Sequence, residues 1–194
     1  MKRDAISTVV VLVVLTLVLG LAYPLVVTGV GQVAFNGAAN GSQVKVDGRV
    51  VGSRLLGQGF RAARYFHSRP SQTDWNPSAT AFSNAGPNGA DTRDAIAERA
   101  DAYLKTEGRY DRGMTREQIP ADAVQTSGSG VDPHITVANA RIQARRVAAV
   151  RGLPLDRVAQ LVAEHTDGRG LGLFGEPGVN VLELNIALDK ETAR

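Results

Sequence analysis

Three groups of residues carry side chains whose types and spacing invite chemistry. In Ser127-Gly128-Ser129-Gly130-Val131-Asp132-Pro133-His134 a nucleophile, an acid and a base follow one another closely. Glycines and the amides of a following helix could hold an anion there, but the lysine of a phosphate loop is missing. A catalytic triad is assembled among separated elements, not from neighbouring letters, and a rigid turn with Asp132 as local cap accounts for the same residues. Hydrolysis by Ser127 or Ser129 with His134 stands as the alternative function. Gly170-Leu171-Gly172-Leu173-Phe174-Gly175 is formally a dinucleotide-binding GxGxxG. No strand precedes it and no apolar-periodic helix follows, so a phosphate cradle lacks its scaffold and a loop is the simpler reading. His67, His134 and His165 are scattered, with no pair at zinc-ligand spacing. His165 shares a face with Val158, Leu161 and Val162 and reads as a core histidine. Gln160 projects from the opposite face and, on periodicity alone, is a solvated polar residue.

The element that must position all of these is the apolar run from Ala5 to Gly31, which contains no charge. About 20 such residues span the ~30 Å hydrocarbon core of a bilayer as a helix, which satisfies its own backbone hydrogen bonds. The run is longer than the 7–15 residues of a signal-peptide core and ends in no clean small-residue cleavage site, which favours an uncleaved anchor. Pro24 removes one donor and threatens a kink. Lys2 and Arg3 precede the run, so the positive-inside rule keeps the N-terminus cytoplasmic and sends the remainder out. The expected organisation is a cytoplasmic N-terminus at 1–4, a membrane span at 5–31, a linker at 32–42 and an extracytoplasmic α+β domain at 43–194.

Composition narrows the partners. Apart from Lys2, Arg3 and Asp4, the chain has 20 basic and 18 acidic residues, without a basic block, which argues against nucleic acid. With no cysteine, there is no thiol for a lipoprotein anchor and no disulfide, so packing alone holds the domain. Asp47-Gly48 between Val44-Lys45-Val46 and Arg49-Val50-Val51 predicts a hairpin. Ser71–Gly89 reads as loop, and a loop that long is usually functional or packed against something. Helices are expected from about Asp91, as cap, to Gly108, over Val137–Arg151 behind Thr136, and from Pro154 to before Gly168. Thr115 and Gln118 form a capping-box pattern. Leu182, Leu184, Ile186 and Leu188 alternate with polar or small residues, which predicts a closing strand over 182–189. The order of elements is that of a small α+β domain on a single anchor.

From physics alone this is an anchored outer domain without a convincing active site. The segments GSRLLGQGF (52–60), YFHSRPS (65–71), SGSGVDPHIT (127–136), Gln143-x-x-Arg146-Val147-Ala148, HTDGR (165–169) and GEPGVNVLELNIALD (175–189), behind an N-terminal anchor, add a further signal. In this order they closely resemble the C subunit of the Kdp-type potassium-transporting P-type ATPase over essentially the whole chain. The resemblance implies a non-catalytic accessory subunit in the cell membrane, part of a high-affinity, ATP-driven potassium uptake complex. The implied partners are a channel-like potassium-translocating subunit, a P-type ATPase subunit and a small membrane peptide, besides the lipid bilayer. It also implies assistance in assembly and a raised ATP affinity of the ATPase subunit, with ATP contacted in the region matching Gln160. No cofactor of its own is implied. Two departures stand out. Ala79–Pro87 replaces the family's serine-glycine-rich turn, and Gly178 replaces an arginine.

Overall fold

The computed structural model describes residues 2–81 and 83–192 in two compact units that divide after residue 53. Met1, Phe82, Ala193 and Arg194, which the expected spans at 1–4, 79–87 and 43–194 include, lie outside the described residues.

The first unit begins with one long helix, Lys2–Ala34. It comprises α1 (Lys2–Leu17), a π-helical turn over Val18–Ala22 and α2 (Tyr23–Ala34). None of its residues is buried, as an apolar helix awaiting lipid should be. The π turn has a cause in the sequence. Pro24 carries no N–H and its ring would strike the carbonyl four residues back; widening the helix just before it, with the Tyr23 N–H donating to Val18 O, removes that clash. A short helix, α3 (Asn36–Ala39), occupies much of the stretch expected as linker. The antiparallel hairpin β1 (Gln43–Val46) and β2 (Arg49–Ser53) then turns through Asp47 and Gly48. Both turn residues have positive φ, 50° and 77°, the type I′ geometry that Asp-Gly favours.

The second unit holds α4 (Ala90–Glu107), α5 (Ala121–Val124), β3 (His134–Thr136), α6 (Val137–Arg151), α7 (Leu155–Glu164), β4 (Thr166–Asp167), β5 (Gly178–Asn180) and α8 (Val181–Thr192). The three strands form an antiparallel sheet in the order β3-β5-β4. Its core joins Ile135 and Val179 of the sheet to Ala140, Ala144 and Val147 of α6, Val158, Leu161 and Val162 of α7, and Leu184 and Leu188 of α8. The Thr136 hydroxyl caps α6 by accepting the Asn139 N–H at 3.1 Å, and the Thr115–Gln118 capping box is formed. Asp91 is not the cap of α4; it lies in the first turn, and Gly89 precedes the helix.

The expected closing strand over 182–189 is instead the helix α8. The same letters carry a second period: Val181, Leu184, Asn185 and Leu188, spaced three and four apart, are all buried. Asn180 decides the matter locally by accepting the Glu183 N–H at 3.1 Å as a helix cap. The strand is β5, Gly178–Asn180, immediately before the helix.

Residues 54–81 and 83–89 form turns and irregular chain, so their backbone groups need partners from elsewhere. Side chains supply them. Asn185 of α8 accepts the Phe66 N–H at 2.8 Å and donates to Phe66 O at 2.9 Å. Gln143 of α6 treats His67 in the same way, at 2.7 and 3.1 Å. Arg146 donates to Tyr65 O at 2.8 Å, to Ala63 O, to Gln143 Oε1 at 2.9 Å and to Glu107 Oε1 at 2.8 Å. Arg146 and Glu107 are 1% and 2% exposed, a wholly buried ion pair. Burial pushes the Glu107 carboxyl above its usual range against the pull of Arg146. The network continues through Asn139, which receives the Tyr103 hydroxyl at 2.8 Å and donates to Asp122 at 3.0 Å. Burial, with Glu107 and Asp122 nearby, holds the Tyr103 phenol far above its usual range.

His67 provides a test of this arrangement. Burial, then the Arg146 charge, pushes its imidazole from about 6.5 down to about 4. Between those values the unfolded chain binds a proton that the native chain excludes, so this contribution to stability is present above pH 6.5 and is lost as pH falls towards 4. Relative to His67→Gln, the wild-type chain is expected to lose about 2–3 kcal/mol between pH 7 and pH 4, measured by denaturant unfolding at each pH. Parallel curves for the two proteins would contradict the burial of a neutral His67.

Candidate functional site

The sheet order places β3 and β4 on either side of β5, which brings together residues from distant parts of the chain. His134 opens β3 and Asp167 closes β4, and the His134 Nε2–H meets Asp167 Oδ2 at 3.0 Å. Arg54 donates to the other Asp167 oxygen at 2.6 Å and pairs with Glu183 at 3.2 Å. Asn180 fixes Arg54 by donating to its carbonyl at 2.9 Å. Arg69 donates to Asp132 at 2.9 Å, and Asp132 accepts the His134 N–H at 2.9 Å. Of these groups Arg69, Asp132, His134 and Asp167 line a depression of about 390 Å³, whose wall also includes Asp122 and Glu176.

Gly178 lies on β5 beneath this cluster. A Cβ there would approach the His134 Cβ at 3.1 Å and the ring at 3.3 Å. The glycine therefore spares the His134 side chain a contact tight enough to shift it by a few tenths of an ångström. The departure at 79–87 lies against the turn that precedes His134, since the Ala81 carbonyl is 2.9 Å from where a Gly130 side chain would begin.

The structure does not join Ser127 or Ser129 to His134. The buried Ser127 hydroxyl accepts the Gly130 N–H at 2.8 Å, and the Ser129 hydroxyl accepts the Val131 N–H at 3.1 Å. Both hold the turn, while the His134 ring is committed to Asp167. The 170–175 segment is a closed loop without a helix behind it. His165 donates from Nδ1 to Leu161 O at 2.8 Å, within its own helix end. Gln160 is exposed on α7, where it donates to Glu164 at 2.8 Å, and it borders neither the depression nor the second cavity. That cavity, of about 380 Å³, opens among Phe60, Trp75, Tyr103 and the buried Glu107. Among the described residues no cluster of His, Cys, Asp or Glu could hold a metal ion.

Reading the sequence missed Arg54, Arg69 and Asp167 as members of one cluster, although each lies inside a segment already singled out. Five of those six segments supply residues to the cluster or its wall: Arg54, Arg69, Asp132 with His134, Asp167, and Glu176 with Glu183. The sixth, Gln143-x-x-Arg146, lies in the core.

The family profile described as K+-transporting ATPase, c chain (KdpC) matches residues 5–190. The chain belongs to the KdpC family. It is 45% identical over 192 residues to the potassium-transporting ATPase KdpC subunit of Mycobacterium tuberculosis (strain ATCC 25618 / H37Rv), covering 98% of this chain and 100% of that one. It is 49% identical over 186 residues to the KdpC subunit of Nitratidesulfovibrio vulgaris (strain DSM 19637 / Miyazaki F), covering 94% and 91%. It is 47% identical over 188 residues to that of Kineococcus radiotolerans, covering 96% and 93%. KdpC membership makes it an accessory, non-catalytic and membrane-associated subunit of a potassium-transporting ATPase. Nothing supports the hydrolase reading.

Proposed function

We propose that the chain is anchored through its N-terminal helix with residues 1–4 in the cytoplasm and its α+β domain, 43–194, outside. There it assists assembly of a potassium uptake complex by contacting the channel-like subunit at its outer face. The P-type ATPase subunit and the small membrane peptide of that complex are its other companions. Any rise in the ATPase subunit's affinity for ATP is then a coupling between separated sites and needs no nucleotide on this chain.

The observation that carries this reading is the setting of Gln160. Its amide is spent on Glu164, it faces solvent, and no aromatic side chain stands in α7 to stack on a base. Lys2 and Arg3 before an uncharged span support the outward orientation.

Orientation is tested with Gln160→Cys, since the chain has no other cysteine. A membrane-impermeant maleimide is expected to label it in intact spheroplasts; labelling only after lysis would contradict the topology. Calorimetric titration of the full chain in detergent with ATP is expected to show no binding at millimolar nucleotide. A micromolar Kd lost in Gln160→Ala would reject the coupled mechanism in favour of direct contact.

A further inference from the structure

The segment between Arg169 and Glu176 presents an anomaly. Leu171, Leu173 and Phe174 are 91%, 79% and 69% exposed, although large apolar side chains grouped in water mark interaction sites. The loop is preformed. Gly170 and Phe174 exchange two backbone hydrogen bonds, at 2.8 and 2.9 Å, and Arg169 bridges both Glu176 oxygens at 3.2 Å across the base. Leu171 is held at φ 52°, in the left-handed region, which a non-glycine residue adopts only at a cost. Neither the strain nor the exposure is offset by a packing contact of these side chains with the core.

The geometry points to this loop as a docking knob for a protein partner that carries an apolar socket beside a basic side chain. The inference rests on the reading of the chain as a pump subunit and assigns the surface that reading leaves open. Charge selects the class of partner. The base of the knob runs directly into the depression through Gly168, Glu176 and Pro177. Four carboxylates line that depression: Asp122, Asp132, Asp167 and Glu176. Three guanidiniums meet them, Arg69 from the lining and Arg54 and Arg169 from its edge. Glu183 shares Arg54 from the same edge, so five carboxylates face three guanidiniums and the balance is acidic by two charges. An anionic lipid surface attracts basic segments and would be repelled here. An apolar centre beside a polar, charged rim is instead the ordinary anatomy of a protein interface. Three side chains cover far less than the ~800 Å² per partner of a stable complex. The knob therefore acts as a central anchor among other contacts, the position from which most of the binding energy comes.

The test uses the full chain expressed with the other subunits of its complex and purified through a tag on this chain. Leu171→Ser, Leu173→Ser and Phe174→Ser together are expected to reduce the co-purifying subunits at least tenfold. The thermal unfolding of the variant chain should stay unchanged, because none of the three lies in the core. Glu176→Lys is expected to weaken the same retention. Separately, Leu173→Cys labelled with an environment-sensitive fluorophore should blue-shift only when the partner subunits are present. Unchanged co-purification of the triple variant would overturn the proposal while leaving the subunit reading intact. Quenching of the label by doxyl lipids in liposomes containing this chain alone would overturn it in favour of the membrane surface. A wild-type chain that retains none of the subunits would defeat the parent reading itself.

Discussion

A guanidinium cannot shed its charge inside a protein, so burying Arg146 dictates what must surround it. One carboxylate, Glu107, is brought from α4, and the remaining donors need neutral acceptors. Those acceptors are the carbonyls of Ala63 and Tyr65 and the side chain of Gln143. The requirement fixes the path of a segment that has no secondary structure of its own. Once Tyr65 is placed, Phe66 enters the core between helices, and the Asn185 and Gln143 amides pair with two consecutive residues as a neighbouring strand would. Breaking such a buried pair by removing one partner costs about 3–5 kcal/mol. The 63–67 stretch thus depends on side chains of α6 and α8.

This dependence explains what could and could not be read from the letters. Helix α6 announced itself through Thr136 and the stripe of Ala140, Ala144, Val147 and Ala148. Its second buried stripe, Asn139, Gln143 and Arg146, is polar, and periodicity assigns polar stripes to solvent. Only a partner segment without regular structure makes burying them worthwhile, and no local pattern reveals that partner. Helix α8 was lost for a related reason. Asn185 sits at a position that reads as the polar side of a strand, whereas the helix buries it beside Leu184 and Leu188 to hold Phe66. The hairpin, α7 and the apolar span, whose patterns are local, were legible as they stand. Pro24, which reads in the sequence as a threatened kink, is accommodated by the π turn before it.

The candidate site divides along the same line. The segments that identify the family separate into a core pair, Gln143 and Arg146, and a surface cluster around His134 and Asp167. Strand order, which the sequence does not state, joins Arg54, Arg69, Asp132, His134 and Asp167. Gly178 borders that cluster closely enough that a Cβ there would crowd the His134 side chain. The serines beside His134 gave a false scent because their hydroxyls serve the turn that delivers His134 to the sheet.

The central claim is that side-chain amides and a buried guanidinium hold an irregular segment as firmly as a strand. Amide hydrogen exchange tests it most directly, in the full chain, comparing residues 65–68 with β5 and with residues 76–81. The account predicts that the Phe66 and His67 amides exchange as slowly as Val179 and far more slowly than residues 76–81. Exchange of Phe66 and His67 at the rate of residues 76–81 would contradict it.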